Sequence, residues 1–255
     1  MRHPTFARMG GKARIRKQII SLLPKRGNRY IEPFVGAGNL FFLAKKELQF
    51  KYWILNDPYC KLLKNIKLVD IDKLPEVINK EVFLEMKRRA QEDDDPIAHC
   101  LEPRITFGGK GWSGGFSGIY DAQGNHVIYR KHLYSKLLTD AKGYLDESVY
   151  LLDLDYISLI KAFDDLSDDD LIVIDPPYYN TKASYPNIDH LQLCQIVNNL
   201  SYTNGVKWAI CGYDNEIYQK ELNFKNRFEI RRNSEIKSSN TRKAEPVTEI
   251  LWVNY

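Results

Sequence analysis

The sequence feature that most constrains the fold is a run of four aliphatic residues followed at once by a polar tetrapeptide. The run is Leu171–Ile174, and the tetrapeptide is Asp175, Pro176, Pro177 and Tyr178. An unbroken apolar run of this length predicts a strand buried on both faces, which is typical of parallel sheets covered by helices. Because proline neither donates to a strand ladder nor continues a helix, the chain is expected to turn at the end of this strand.

The polar corner after this strand is a candidate ligand site, since open α/β sheets bind ligands beyond the carboxyl ends of their strands. Asp175 offers carboxylate oxygens, the prolines leave backbone carbonyls as acceptors, and Tyr178 adds an aromatic face. This combination suits a planar heterocycle that carries an exocyclic amino group. For an Asp-Pro-Pro taken alone, a strand followed by a turn, with Asp175 as a helix cap, is the simpler interpretation.

A glycine loop lies between a predicted strand that ends at Glu32 and a predicted helix that begins near Asn39. Glycines at such a junction let a ligand approach backbone N–H groups. The loop has neither the dinucleotide fingerprint nor the Gly-Lys-Ser/Thr of a phosphate loop, which favours a nucleoside without phosphate. A tight strand-to-helix turn is an equal alternative. The next predicted strand ends at Asp57, and an acid in that place can accept both hydroxyls of a ribose.

The alternation of strands and helices disappears between about Pro58 and Glu147. Residues 60–91 have helical spacing, and residues 106–118 contain six glycines among aromatic side chains. A β-hairpin is predicted around Asp121–Asn125. A two-stranded ribbon fits the major groove of DNA, whereas a flexible surface loop is the simpler alternative.

Charge and composition limit the function classes. The chain has 255 residues and a net charge of +4, and nine Lys or Arg but no acid occur in its first 29 residues. This distribution favours a local contact with a polyanion. No apolar run approaches the roughly 20 residues that span a bilayer, and no signal peptide is evident. The four cysteines have no metal-site spacing, so we expect reduced thiols, no metal, no membrane association and a cytoplasmic protein.

The order of the motifs resembles that of the Dam-like, alpha-class DNA adenine-N6 methyltransferases. Gly-Gly-Lys is followed by Glu-Pro-Phe-Val-Gly-Ala-Gly, by Asn-Asp, by a long insert and by Asp-Pro-Pro-Tyr. The resemblance implies an α/β fold with a Rossmann-like S-adenosylmethionine-dependent methyltransferase sheet and helices on both faces. It also implies an inserted, mainly helical target-recognition domain that carries a β-hairpin. We expect the catalytic and cofactor-binding domain at residues 1–57 and 148–255, and the target-recognition domain at 58–147.

The resemblance also implies roles for individual residues. The catalytic residues are Asp175, Pro176, Pro177 and Tyr178. The residues expected to bind S-adenosyl-L-methionine are Arg8, Gly10, Gly11, Lys12, Glu32, Pro33, Phe34, Gly36, Ala37, Gly38, Asn39, Asp57 and Asp175. The residues expected to contact DNA are Lys110, Trp112, Phe116, Arg130, Lys131, Tyr185, Ser239, Asn240, Arg242 and Lys243. Within these sets, Asp57 is expected to hold the ribose and Lys12 to lie near the amino-acid end of the cofactor. Arg8 stands where the family often has an aromatic residue.

The implied reaction transfers a methyl group to the exocyclic amino group of an adenine flipped out of double-stranded DNA, with S-adenosyl-L-homocysteine as product and no metal. We expect a monomer that acts at the nucleoid, and the family is compatible with a cognate restriction endonuclease as partner. Cytosine N4, RNA adenine or a protein amide are alternative acceptors on the same scaffold. A third interpretation is a DNA-binding protein that has lost catalytic activity. The presence of Asp57 and Asp175 argues against it.

Overall fold

The computed structural model describes residues 3–7, 11–59, 61–107, 110–116, 120–126, 129–181, 187–233 and 246–255. Its centre is a seven-stranded sheet in the order β3-β2-β1-β4-β5-β7-β6. The strands are β1 (Arg26–Glu32), β2 (Gln49–Asn56), β3 (Val149–Leu152), β4 (Leu171–Ile174), β5 (Lys207–Gly212), β6 (Asn226–Asn233) and β7 (Pro246–Val253). The helices are α1 (Arg16–Leu22), α2 (Asn39–Glu47), α3 (Leu62–Leu68), α4 (Lys80–Glu92), α5 (Pro96–Ile105), α6 (Lys131–Lys142), α7 (Tyr156–Lys161), α8 (His190–Asn204) and α9 (Glu216–Glu221).

The strand order reverses its direction at β1. This strand pairs in parallel with β2 on one side and with β4 on the other, and β4 pairs in parallel with β5. In α/β sheets of this kind, a crevice for ligands opens where the strand order reverses, at the carboxyl edge of the strands. Strand β7 runs antiparallel to β5. The amino-terminal end of β7 therefore lies at the same edge of the sheet as the carboxyl ends of β1, β2 and β4.

The sheet is covered on both faces. In β4, Leu171 and Val173 belong to one hydrophobic cluster, together with side chains of α1 and α2. The alternate residues Ile172 and Ile174 belong to a second cluster, together with side chains of α7 and α8. All four are at most 1% exposed. The predicted α/β fold class, a largely parallel sheet with helices on both faces, is confirmed.

The segment between β2 and β3 is mainly helical, but the helical pattern predicted over residues 60–91 is interrupted. Helix α3 ends at Leu68, a short 3-10 helix covers Ile71–Lys73, and α4 begins only at Lys80. Pro75 occupies the interruption; proline cannot donate the hydrogen bond that a continuous helix requires. Asn79 then caps α4, because its side chain accepts a 2.8 Å hydrogen bond from the Val82 amide.

The predicted hairpin is described only in part. Tyr120 and His126 form one antiparallel bridge, and Asp121 closes the turn between them by accepting backbone hydrogen bonds from Gln123 and Asn125. Residues 119, 127 and 128 lie outside the described residues. Among the described ranges, no helix is long and apolar enough to cross a membrane.

Candidate active site

The Asp-Pro-Pro-Tyr corner forms at the carboxyl end of β4, as predicted. After the two prolines the chain turns, and Thr181 donates a 2.8 Å hydrogen bond from its hydroxyl to the carbonyl of Tyr178. The next helix, α8, is capped by Asp189, whose side chain accepts from the Gln192 amide. The alternative that Asp175 serves as a helix cap is therefore wrong.

A buried cation holds this corner together. The Lys12 ammonium lies 2.6 Å from Oδ1 of Asp175 and 3.7 Å from Oε2 of Glu249. It also lies 4.7 Å from the centre of the Tyr178 ring. The Tyr178 hydroxyl donates a 2.6 Å hydrogen bond to the same Oε2 of Glu249. Because the side chains of Lys12 and Glu249 are each only 4% exposed, these four residues form one compact network, defined here as the Lys12 network.

Electrostatic interactions within the Lys12 network favour the charged form of Lys12. Burial opposes the charge on Lys12, but attraction to Asp175 and Glu249 outweighs this effect, so the pKa of Lys12 is raised. Burial raises the pKa of Asp175, and the neighbouring Lys12 opposes that rise. Burial also raises the pKa of the Tyr178 hydroxyl well above its ordinary value, so the phenol keeps its proton and donates a hydrogen bond to Glu249.

A further carboxyl group lies at the end of β1. Glu32 is 4% exposed, and it accepts a 2.6 Å hydrogen bond from the Tyr30 hydroxyl. Burial raises the pKa of Glu32 to about 8, and the charge of nearby Asp175 adds to that rise. Burial therefore favours the protonated, neutral form of Glu32.

The glycine loop after β1 depends on two left-handed residues, Gly36 with φ 52° and Gly38 with φ 71°. A Cβ at Gly38 would also lie 3.0 Å from a methyl carbon of Leu63, so glycine is required there on both grounds. At Gly36 an added Cβ would meet nothing within 4 Å. The backbone at Gly36 therefore borders open space, as a site that admits a ligand requires.

Asp57 ties this loop to the end of β2. Its carboxylate accepts a 2.9 Å hydrogen bond from the Gly36 amide through Oδ2, and a second of 2.9 Å from the Tyr59 amide through Oδ1. The structure thus brings Asp57 and the glycine loop together, as the sequence predicted. The expected ribose contact of Asp57 stays a prediction.

The amino-terminal segment reaches the site across α2. The side chain of Asn39 makes two hydrogen bonds with the backbone of Phe6. Its oxygen accepts from the Phe6 amide at 3.0 Å, and its amide nitrogen donates to the Phe6 carbonyl at 2.9 Å. The Lys12 carbonyl accepts from the amides of Ile15 and Arg16 at the start of α1. The Lys12 side chain therefore enters the site from a segment that is anchored on both sides. Arg8 and Gly10, which were also expected to bind the cofactor, lie outside the described residues.

Sequence reasoning missed two buried polar residues that shape the site. Asn56 is fully buried; its side-chain amide donates to the carbonyls of Pro33 and Leu154, and its side-chain oxygen accepts from the Leu154 amide. It thereby joins the loops after β1 and β3. The second is Glu249, in the Lys12 network. In both cases the available signal was a polar residue within an otherwise apolar strand.

Of the residues expected to contact DNA, the structure describes Lys110, Trp112, Phe116, Arg130 and Lys131. Phe116 stacks on Phe83 with ring centres 4.8 Å apart, and the centre of the Trp112 ring lies 5.7 Å from the centre of the same Phe83 ring. Both aromatic side chains are thus engaged within the insert. Exposed Lys110 precedes a short 3-10 helix at Gly111–Ser113. Other expected DNA contacts lie outside the described residues: Tyr185, Ser239, Asn240, Arg242 and Lys243.

Arg130 and Lys131 line an open cleft of about 480 Å³, together with Glu76, His132 and Ser135. Lys131 is engaged there, because its ammonium lies 2.6 Å from the Glu76 carboxylate and 3.2 Å from the Asp72 carbonyl. In the described parts of the chain, no group of three or more His, Cys, Asp or Glu residues is arranged to hold a metal ion.

Comparison with known families gives a match in the amino-terminal third of the chain. Residues 9–95 match the model of the D12 class N6 adenine-specific DNA methyltransferases. The predicted family resemblance is confirmed. The matched segment contains the glycine loop and Asp57, whereas the Asp-Pro-Pro-Tyr corner lies beyond it.

The individual similar proteins either match only part of this chain or have low sequence identity to it. The chain is 36% identical over 93 residues to the Type II methyltransferase M.MjaIII of Methanocaldococcus jannaschii, covering 33% of this chain and 32% of that protein. The chain thus spans about a third of the length of that relative. Among solved structures, the rRNA methyltransferase aviRa of Streptomyces viridochromogenes has a TM-score of 0.41 at 13% identity, over 95% of this chain and 84% of its own. A precorrin 8W decarboxylase of Methanobacterium thermoautotrophicum has a TM-score of 0.38 at 11% identity, over 94% and 89%.

Proposed function

We propose that this protein is a site-specific DNA adenine-N6 methyltransferase that uses S-adenosyl-L-methionine. The observation that carries the proposal is the position of Asp175, which follows a buried parallel strand, is fixed by Lys12 at 2.6 Å and stands beside Tyr178. The D12 class match over residues 9–95 supports the same function from a separate part of the chain.

The residues at the carboxyl edge of β1 and β2 fit the methyl donor. Open space borders the Gly36 backbone, and Asp57 lies directly beside that loop. Each carboxylate oxygen has a second lone pair, so Asp57 can accept from ribose hydroxyls while it holds the Gly36 amide. Residues Glu32–Asn39 and Lys12 would line the remainder of this binding site. When bound, the cofactor supplies a methyl group already activated as a sulfonium, and S-adenosyl-L-homocysteine is left as product.

The chemistry required of the chain is activation and aiming of a weak nucleophile. The lone pair of an adenine amino group is delocalised into the ring, so the nitrogen attacks poorly. Asp175 and the Pro176 carbonyl would accept its two hydrogens, favour a more tetrahedral nitrogen and stabilise the positive charge that develops on it. Lys12 holds one Asp175 oxygen in place, so the acceptor is oriented before the substrate arrives.

Tyr178 would hold the target base once it has left the duplex. Extrusion of a base costs a few kcal/mol, and stacking on an aromatic side chain partly offsets this cost. The ring of Tyr178 is fixed by the hydrogen bond from its hydroxyl to Glu249. It also makes an edge-to-face contact with the ring of Tyr213, with ring centres 4.8 Å apart. It is therefore a preformed surface for a flat ligand.

We further propose that residues 58–147 form the target-recognition domain for double-stranded DNA. The helical character of this segment and its exposed basic residues Lys110 and Arg130 support this role. A cognate restriction endonuclease as partner and a monomeric state stay predictions.

The test is to incubate the protein with duplex DNA and S-adenosyl-L-methionine, digest the DNA, and identify the nucleosides by mass spectrometry. We expect N6-methyladenine with the wild-type protein and far less in the same time with Asp175→Ala. Detection of N4-methylcytosine, or of methylation only on RNA or on protein, would contradict the proposal. It would show that an enzyme on the same scaffold methylates another acceptor. A protein that gives no calorimetric heat with S-adenosyl-L-methionine and no product would be a non-catalytic DNA-binding protein.

A further inference from the structure

Asn56 joins two loops at the carboxyl edge of the sheet. It is the last residue of β2, directly before Asp57, and it is fully buried. Its side-chain nitrogen donates a 3.0 Å hydrogen bond to the carbonyl of Pro33, in the loop after β1, and one of 2.8 Å to the carbonyl of Leu154, in the loop after β3. Its side-chain oxygen accepts a 2.9 Å hydrogen bond from the Leu154 amide. The backbone of the two loops therefore engages the whole side-chain amide.

These contacts continue the hydrogen bonding of the sheet past the ends of its strands. The register of β1 with β2 ends at Glu32, and that of β3 with β2 ends at Leu152. Pro33 and Leu154 lie just beyond these ends, where buried backbone groups need another partner. A side-chain amide carries the same kinds of donor and acceptor as a peptide unit, so Asn56 bridges the gaps on both sides of β2.

One of the bridged loops is the glycine loop that borders the proposed donor site. Pro33 leads into the turn at Gly36, beside which lies open space. The Val35 amide donates a 2.9 Å hydrogen bond to the backbone carbonyl of Asn56, and the Gly36 amide donates to the carboxylate of Asp57. Consecutive residues at the end of β2 thus hold consecutive parts of the glycine loop. A displacement of Asn56 would move this loop and the Asp57 carboxylate together.

The other bridged loop, after β3, is a firm support. Its last residue, Asp155, caps α7, because its side chain accepts from backbone amides of the first turn of that helix. The ring of Tyr156, which follows, lies against the ring of Phe34 in the loop after β1, with ring centres 5.4 Å apart. The two loops are therefore connected by the Asn56 amide and also by a ring contact.

We propose that Asn56 is a positioning residue of the methyl donor site. It holds the glycine loop and Asp57 against the loop after β3, in the arrangement that receives the nucleoside part of the donor. It acts through these loops rather than by contact, since it is fully buried and both its amide hydrogens are engaged. The nucleoside part is common to S-adenosyl-L-methionine and S-adenosyl-L-homocysteine, so Asn56 contributes equally to the binding of both. This inference rests on the proposed function, because it concerns the donor site of the same enzyme.

The test removes the bridge and measures the binding of cofactor and of DNA separately. Dissociation constants of S-adenosyl-L-methionine and S-adenosyl-L-homocysteine are measured by calorimetry without DNA, for the wild type and for Asn56→Ala. We expect both to rise by the same factor, roughly tenfold, because a loop that is held less firmly must be ordered when the ligand binds. The dissociation constant of nonspecific duplex DNA, measured by fluorescence anisotropy, should stay at its wild-type value.

A matched control comes from an asparagine with similar contacts at the opposite edge of the sheet. The side-chain oxygen of Asn254 accepts from the Trp208 amide at 2.8 Å, and its nitrogen donates to the Val206 carbonyl at 2.7 Å and to the Ser201 hydroxyl at 2.8 Å. These partners lie at the amino end of β5 and in α8. Asn254→Ala should lower the free energy of unfolding in urea, because it leaves polar groups without their partner, and both cofactor dissociation constants should stay at their wild-type values.

A milder variant keeps the inference testable if Asn56→Ala does not fold. Serine can donate one hydrogen bond and accept others, so Asn56→Ser retains part of the bridge and should weaken both ligands by a smaller, common factor. Wild-type affinity in a folded Asn56 variant, a loss confined to one of the two ligands, or an equal loss in Asn254→Ala would overturn the inference alone. A wild-type protein that binds neither ligand would overturn the proposed function and this inference together.

Discussion

The ammonium of Lys12 lies 2.6 Å from the carboxylate of Asp175, so Lys12 and the Asp-Pro-Pro-Tyr corner form a single site. The two motifs are far apart in the chain, and the sheet brings them together at its carboxyl edge. Glu249 and Tyr178 complete the network from β7 and from the turn after β4. The orientation of Asp175 is therefore determined by contacts that exist before any ligand binds.

Replacing Asp175 should remove methyl transfer while leaving the fold largely intact. Loss of one group that stabilises charge in the transition state typically costs about 10²–10³ in rate. Single-turnover kinetics of Asp175→Ala on duplex DNA measure this loss, and circular dichroism and nonspecific DNA binding check the fold. Asp168→Ala is a suitable control, because Asp168 is exposed in the turn that precedes the same strand. A near-wild-type rate for Asp175→Ala would exclude its proposed role.

Asp57→Ala should weaken the binding of S-adenosyl-L-methionine more than the binding of DNA. Hydrogen bonds between a carboxylate and ribose hydroxyls contribute on the order of 1.5–3 kcal/mol. The variant also removes the acceptor of the Gly36 amide, so the glycine loop loses an anchor as well. Calorimetric titration with the cofactor tests this prediction. An unchanged dissociation constant would show that the acid at the end of β2 is not a ligand of the ribose.

The sequence was sufficient to predict features that depend on neighbouring residues. The buried strand β4 and the turn after it follow from four aliphatic residues and two prolines, and the glycine loop follows from residues that tolerate left-handed backbone. Glu249 could not be found in this way, because its contact with Tyr178 joins residues 71 positions apart. A glutamate within a strand is usually exposed to solvent, and only the pairing of β7 with β5 turns it towards the site.

The interruption of the helical region and the packing of Trp112 and Phe116 on Phe83 could not be predicted for the same reason. The apolar spacing over residues 60–91 continued through Pro75, whereas α3 ends at Leu68 and α4 begins only at Lys80. The rings of Trp112 and Phe116 lie against Phe83 of α4, which their spacing does not reveal. Their expected contact with DNA stays a prediction. Whether an aromatic side chain faces solvent, packs in the core or contacts a partner depends on tertiary contacts rather than on local sequence.

The stability of the protein should depend on the protonation of Glu32. Its pKa is about 8 in the folded state, above its ordinary value of 4.5, so the folded state binds more protons between these values. The contribution of Glu32 to the free energy of unfolding is therefore fully present below about pH 4.5 and is lost as pH rises through about 8. The slope is at most about 1.4 kcal/mol per pH unit.

Urea unfolding of the wild type and of Glu32→Gln, at several pH values from 5 to about 8, isolates this contribution. Glutamine resembles the protonated acid, so the variant should lose the part of the pH dependence that belongs to Glu32. The other titrating groups are common to both proteins and cancel in the difference between the two profiles. Identical profiles would mean that Glu32 is already ionised in the folded protein at neutral pH.

DNA recognition by the insert is tested by three substitutions in the segment 104–132. Lys110→Ala and Lys131→Ala should each weaken binding to all sequences and reduce the salt slope by about one unit, as expected for contacts with phosphates. Arg130→Ala should instead relax sequence preference at one position, by roughly 1–3 kcal/mol. Methylation and binding are measured across a randomised DNA library at several salt concentrations.

The contact between Lys131 and Glu76 sharpens this last prediction. Lys131 lies 2.6 Å from the Glu76 carboxylate, so a phosphate must compete with that acid for the ammonium. Glu76→Gln removes the competitor, and it should therefore strengthen binding to all sequences, whereas Lys131→Ala weakens it. In the double variant the gain from Glu76→Gln should shrink, because the ammonium that it releases is absent. If all the variants keep the wild-type motif, rate and salt dependence, recognition lies elsewhere, in the Ser238-to-Lys243 segment or in the basic amino-terminal segment.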